Sequence, residues 1–171
     1  RSGLFYSRRI GIQAPAGVLN NLLQSNERLS AVPTSTQLYN ATKLSGRTKS
    51  GLGIGVFNAV TAPLYAKAIN QTSLEEREVL ASPLTNYNVV VLDQNLKNNS
   101  YLNFTNTNVT RAGSFYDANV SSLKTMINTK DNNYFFGASS ALSNKIFIDS
   151  VLTGFNWYVS AGKQRGSFVY S

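Results

Sequence analysis

"GLGIGVFNAVTA", residues 51–62, places its apolar side chains at alternate positions. Leu52, Ile54, Val56 and Val60 fall on one face and Gly51, Gly53 and Gly55 on the other, the period-two signature of a β-strand. Glycine weakens a strand that faces a packed core, whereas on the inner wall of a barrel it leaves room. The same alternation recurs at 87–96, 100–111, 116–128, 133–144 and 153–162, with weaker candidates at 4–10, 38–48 and 167–170. In 153–162, Phe155, Trp157, Val159 and Ala161 oppose Gly154, Asn156, Tyr158, Ser160 and Gly162.

The stretch "YLNFTNTNVTRAG" (101–113) sharpens the question of where two such faces go. One carries Tyr101, Asn103, Thr105, Thr107 and Val109, the other Leu102, Phe104, Asn106, Asn108 and Thr110. A soluble sandwich has to bury one of them, and each amide buried without a partner costs about 1–3 kcal/mol. In a membrane barrel Asn103, Thr105 and Thr107 line the lumen, Leu102 and Phe104 face lipid, and 106–110 lies past the membrane edge.

Composition narrows the classes. Of 171 residues 42% are hydrophobic, enough for a sizeable core, yet only 14% are charged, so neutral polar groups cover much of the surface. Sixteen Lys and Arg against eight Asp and Glu give a formal charge of +8. That balance suits an acidic partner, but the cations are scattered, with neither a basic arm nor a basic helical stripe, and no nucleic-acid partner is expected. The absence of Cys removes disulfides and Cys-based zinc sites. The absence of His removes the commonest general base and metal ligand. The few carboxylates, Asp93, Asp117, Asp131, Asp149 and the run Glu75, Glu76, Glu78, form no acid/base pair; the run reads as a solvated loop or short helix. No catalytic residue, metal site or cofactor is expected, and the chain reads as non-enzymatic. No apolar run approaches the roughly 18 residues of a transmembrane helix, which leaves a transmembrane barrel open.

The joints fit a barrel. Tight, turn-like connections occur at 48–51, 96–99, 128–133 and 162–166, and longer or less regular ones at 11–37, 63–86 and 145–152, with a shorter one at 112–115. Turns alternating with loops are the pattern of an up-and-down barrel. Two joints hold helix candidates, 18–29 and 64–81, the second with Ser73 and Glu76 at capping-box spacing. Tyr87, Tyr101, Tyr116, Tyr134 and Trp157 are placed as interfacial aromatics near strand ends or about a turn inside them. The predicted class is all-β: one domain or segment over 1–171, an antiparallel up-and-down meander of about nine strands with long loops near 11–37 and 63–86.

The stretches "LFYSRRIG" (4–11), "TKLSGRTKSGLGIGVFNAVT" (42–61), "PLTNYNVVVLDQNLKNNSYLNFTNTNV" (83–109) and "YDANV" (116–120) together resemble a particular family. It comprises large outer-membrane proteins of Gram-negative bacteria in which a carbohydrate-binding family 9-like sandwich module precedes a C-terminal β-barrel domain of unknown function. The resemblance implies that the chain is the first part of that barrel, with "LFYSRRIG" at its junction with the module, and that the module and the later strands lie elsewhere in a longer polypeptide. Those strands would pair the open edge, which in lipid leaves backbone groups unsatisfied at several kcal/mol each. The implied partners are outer-membrane lipid, a glycan, the remainder of the same polypeptide and other outer-membrane proteins. The implied role is an anchor, pore or platform for surface glycan binding or uptake; the alternative is a soluble all-β carbohydrate-binding module whose Tyr and Trp stack on sugar.

Four cations are candidate ligand-binding residues. Arg8 and Arg9 point to opposite faces of a strand, and a guanidinium pairs bidentately with an acidic sugar or phosphate, although a salt bridge at the start of the barrel is the plainer reading. Lys43 and Arg47, with Lys49, share one face of 38–48, a possible cationic stripe in the lumen that a solvated strand end explains equally well.

Overall fold

The computed structural model describes residues 19–171, so Arg8, Arg9 and the strand expected at 4–10 lie outside the described residues. Among the described residues there are ten strands: β1 (Glu27–Ala31), β2 (Leu38–Arg47), β3 (Leu52–Thr61), β4 (Leu64–Asn70), β5 (Glu76–Ser82), β6 (Thr85–Asn95), β7 (Tyr101–Arg111), β8 (Asp117–Asn128), β9 (Tyr134–Ile146) and β10 (Val151–Lys163). They make a three-stranded sheet in the order β1-β4-β5 and a seven-stranded sheet in the order β10-β9-β8-β7-β6-β3-β2. The larger sheet follows the chain from strand to strand except where β4 and β5 intervene between β3 and β6. The all-β antiparallel class is therefore as the alternation predicts. Among the described residues no helix is long and apolar enough to cross a membrane.

By contacts the chain divides into two compact units. The first takes in 59–86, 110–115 and the described part of 1–41. Its small sheet has an ordinary inside and outside: along β4, Leu64, Ala66 and Ala68 are buried while Tyr65 and Lys67 between them are exposed. Leu19, Leu64, Ala66 and Ala81 form the core, with Leu29 and Val32 packed against it. The turn from β4 to β5 is built by Asn70, whose Oδ1 accepts from the amides of Thr72 at 2.8 Å and Ser73 at 3.1 Å. Such side-chain acceptance is why Asn is favoured in turns.

The second unit, 42–58, 87–109 and 116–171, has the opposite character. Partners in register stand on the same face of a sheet, which allows its faces to be traced across strands. Phe104 opposes Leu123, Leu123 opposes Ser140, and Ser140 opposes Trp157. On the other face Asn103 opposes Lys124, which opposes Ser139, which opposes Tyr158. Between β6 and β7 the register is the same at both ends, where Leu96 N donates to Ser100 O and Ala112 N to Leu84 O, each at 2.9 Å. Leu92 therefore joins the Phe104 row. Ile54 joins it through β3, whose register to β6 is given by the Asn95 N to Gly51 O bond of 3.1 Å.

Burial is inverted between these two faces. Thr105 is 4% and Ser122 9% exposed, whereas their neighbours Phe104 and Leu123 on the opposite face are 37% and 45% exposed. Glycines report the same asymmetry. A Cβ on Gly53, Gly137 or Gly154, all on the Thr105 side, would come within 2.7–2.8 Å of Arg47 Nη2, Ser160 Oγ or Ser143 Oγ respectively, while one on Gly46 would meet nothing within 4 Å. The small polar side is the crowded side, and the large apolar side is the open one.

Several expected boundaries change. Residues 64–81, expected to hold a helix within a long loop, form the β4–β5 hairpin, and the Ser73–Glu76 capping box is absent, since Ser73 Oγ instead reaches Glu75 at 3.3 Å. The helix expected at 18–29 gives way to a short turn and β1; Asn26, in left-handed backbone at φ 66°, leads directly into β1. The joints at 112–116 and 147–150 are both short, so the expected contrast between turns on one end and loops on the other is carried by the β4–β5 excursion. Residues 167–170 contribute only an isolated bridge between Lys163 and Tyr170.

Candidate functional site

The strongest chemical feature is the large apolar face of the second unit. Ile54, Val56, Leu92, Leu102, Phe104, Leu123, Ile127, Phe136, Leu142, Phe155, Trp157 and Val159 are all exposed on it, Trp157 by 66%. Strand alternation puts them there: every second residue of β3 and of β6 to β10 projects to that side, with Asn106, Ser121, Thr125 and Ser140 interspersed among the apolar residues.

The apolar band stops at a row of amides. Asn108 opposes Asn119, Asn119 opposes Asn144, and Asn144 opposes Thr153. The registers above extend the row to Asn88 on β6 and Asn58 on β3, whose side chains are joined by a 2.7 Å hydrogen bond. Thr153 Oγ1 donates to Asn144 Oδ1 at 2.9 Å, and Asn106 Nδ2 bridges to Asn119 Oδ1 at 3.2 Å and Ser121 Oγ at 2.8 Å. Most of these amides thus bond a neighbour sideways, and the row forms a polar edge across six strands.

Charge on the crowded side is centred on Arg47. Its guanidinium lies across Gly53, Nη2 meets Asp93 Oδ2 at 2.5 Å, and Nη1 donates to Gly51 O at 2.7 Å. The expected pair of Lys43 and Arg47 does share one face of β2, but Arg47 is committed to Asp93 while Lys43 stands exposed. Lys124 occupies the same row as Asp93 two strands away, a position sequence reasoning did not single out. Its alternation with Leu123 was the available signal.

The expected aromatics separate by face. Tyr134 and Trp157 stand on the apolar side, at the first residue of β9 and in mid-strand on β10. Tyr87 and Tyr101 share the crowded side with Val89 and Asn103. Tyr116 precedes β8 and packs at 5.5 Å against Phe147, with Lys145 Nζ 4.2 Å from its ring centroid.

In the first unit one ion pair stands out. Arg77 grips Glu27 with two hydrogen bonds, Nε to Oε1 at 2.6 Å and Nη2 to Oε2 at 2.7 Å, and Nη2 also reaches Leu22 O at 3.0 Å. The bidentate Arg77 bonds and the Gln24 amide hold the Glu27 carboxyl at about 2, well below the usual range. The same pairing raises Arg77. Of the acidic run read as solvated loop or helix, Glu76 and Glu78 lie on β5 and Glu75 in the turn before it. Among the described residues no three acidic side chains gather where a metal ion would be held.

Against known proteins, the model of the family described as Domain of unknown function (DUF5916) matches residues 1–171. No curated protein and no solved structure matches the chain.

Proposed function

We propose, for a chain that belongs to this family of unknown function, that its seven-stranded sheet is part of the wall of an outer-membrane β-barrel. It would serve as anchor, pore or platform for surface glycan binding or uptake by the polypeptide that carries it. One observation carries the reading: large apolar side chains are exposed and small polar ones shielded, the reverse of a soluble sheet. Twelve large side chains at roughly 70–100 Å² each leave on the order of 1,000 Å² of apolar surface on one face, above the few hundred Å² usual for a patch on a soluble monomer. At about 25 cal/mol per Å², covering it is worth about 25 kcal/mol, more than the net stability of a typical domain. Hydrocarbon is the solvent that fits. β7 to β10, at 11 to 13 residues, are long enough to span it when tilted.

Within this reading Trp157 and Tyr134 face lipid, and Tyr87 and Tyr101 face the enclosed space. The soluble carbohydrate-binding alternative would leave Phe155, Trp157 and Val159 together in water. Fractionating cells that express the intact polypeptide tests the choice: it should sediment with outer membranes and need detergent for release. Monodisperse protein in detergent-free buffer would refute the membrane reading.

A further inference from the structure

The crowded face carries cations that no carboxylate offsets. Only two carboxylates lie on the seven strands of the larger sheet, Asp93 and Asp117. Alternation sends Asp117 to the apolar side, at the end of β8, and Arg47 already holds Asp93. Lys43, Lys124 and Lys145 also stand on the polar face, as does Arg111 at the end of β7; Lys145 lies against the Tyr116 ring, and Lys124 forms no ion pair among the described residues. Around Lys124 stand neutral groups: Asn103 and Ser139 oppose it directly, with Thr105 and Ser122 along the same face.

We infer that this face receives anionic solutes, such as an acidic saccharide, with Lys124 as the central cation. The inference deepens the barrel reading and rests on it. An ammonium among hydroxyls and amides has little countercharge nearby, so in the barrel reading its field extends to any solute entering the enclosed space. The hydroxyls of Ser122 and Ser139 and the amide of Asn103 supply the neutral hydrogen-bonding partners that a polyhydroxylated anion uses. Asp93 does not cancel the field, because its charge is paired with Arg47.

Thiol labelling in outer-membrane vesicles carrying the intact polypeptide tests this. These 171 residues hold no cysteine, so once any cysteine elsewhere in the polypeptide is replaced by serine, Ser139→Cys places one thiol directly across from Lys124. It should react with a sulfonate-bearing methanethiosulfonate about fivefold to tenfold faster than with the quaternary-ammonium analogue, both normalised to free thiol. Adding Lys124→Gln should largely remove that preference. Equal rates, a faster cationic reagent, a preference that survives Lys124→Gln, or no reaction with either reagent would overturn the inference. Leu123→Cys separates the premise: shielding from both water-soluble reagents supports a lipid-facing side, and labelling as fast as Ser139→Cys would overturn the barrel reading itself.

Discussion

Leu123→Arg is the substitution that most directly asks which solvent the open face meets. Leu123 lies in register between Phe104 and Ser140, with Leu142 and Ala138 in the rows on either side of it across β9 and Ser121 and Thr125 next to it along β8. It is 45% exposed, so about half of its side chain, roughly 80 Å², touches the surrounding medium. If that medium is hydrocarbon, removing the Leu contacts costs about 2 kcal/mol. Placing a guanidinium near the bilayer midplane costs about 2–4 kcal/mol more. The total is about 4–6 kcal/mol. Ser140→Leu, on the same row, should do the reverse and stabilise by about 2 kcal/mol, since it adds apolar surface where lipid would receive it. Lys124→Leu, on the other face, should stay within about 1 kcal/mol. The assay is urea unfolding of the intact polypeptide refolded into phosphatidylcholine vesicles, followed by the gel-mobility difference between folded and unfolded chains. A cost below about 1 kcal/mol for Leu123→Arg, with Ser140→Leu neutral or destabilising, would show that the open face meets water.

Other consequences can be checked separately. Because the Glu27 carboxyl is held at about 2, its pairing with Arg77 strengthens the first unit fully above the unfolded value near 4.5 and is lost as pH falls through about 2. Protection against hydrogen exchange in β1 and β5, relative to the intrinsic rate at each pH, should therefore fall between pH 4.5 and 2, and Glu27→Gln should flatten that dependence; an unchanged slope in the variant would refute the assignment. Gly53→Val should expel the Arg47 guanidinium, which sits 2.8 Å from where the Cβ would be. Its loss of stability should not add to that of Arg47→Gln, as a double-mutant cycle would show. Leu64→Ala should destabilise the first unit by about 2–5 kcal/mol, because the side chain is buried among Leu19, Ala66 and Ala81, and limited proteolysis within 62–84 should report it.

The larger sheet was legible because its period is strict. In 51–62, 101–110 and 153–162 large apolar residues alternate with glycine, serine, threonine and asparagine, and the observed faces are those the alternation assigns. The β4–β5 hairpin was not, for a physical reason. Its residues Leu64, Ala66, Lys67, Ala68, Glu76, Arg77 and Leu80 include good helix formers, and local propensity favoured a helix. The extended form wins through tertiary contacts: Ala66 and Ala68 are small enough to be fully buried, and Arg77 reaches back fifty positions to Glu27. Lys43 and Arg47 were legible as sharing a face, but the capture of Arg47 by Asp93 depends on a pairing between distant strands that spacing along the chain does not encode.

The amide row explains why this sheet spends so many asparagines. A polar residue on a lipid-facing strand is tolerable only if its donors and acceptors find partners that water does not supply. Polar residues on neighbouring strands do this: Asn58 bonds Asn88 and Thr153 bonds Asn144 within the row, and Asn119 bonds Asn106 diagonally. A row built this way ends the apolar band without stranding an amide and still leaves N–H and C=O groups turned outward. In the barrel reading it marks where the outward surface passes from hydrocarbon to hydrated headgroups. The strands continue beyond it, Ile146 and Val151 closing the β9–β10 pair on the far side, so in that reading the wall would extend past the hydrocarbon. In the same reading, a row that both donates and accepts hydrogen bonds suits hydrated headgroups, while the lysines on the opposite face address what enters the enclosed space.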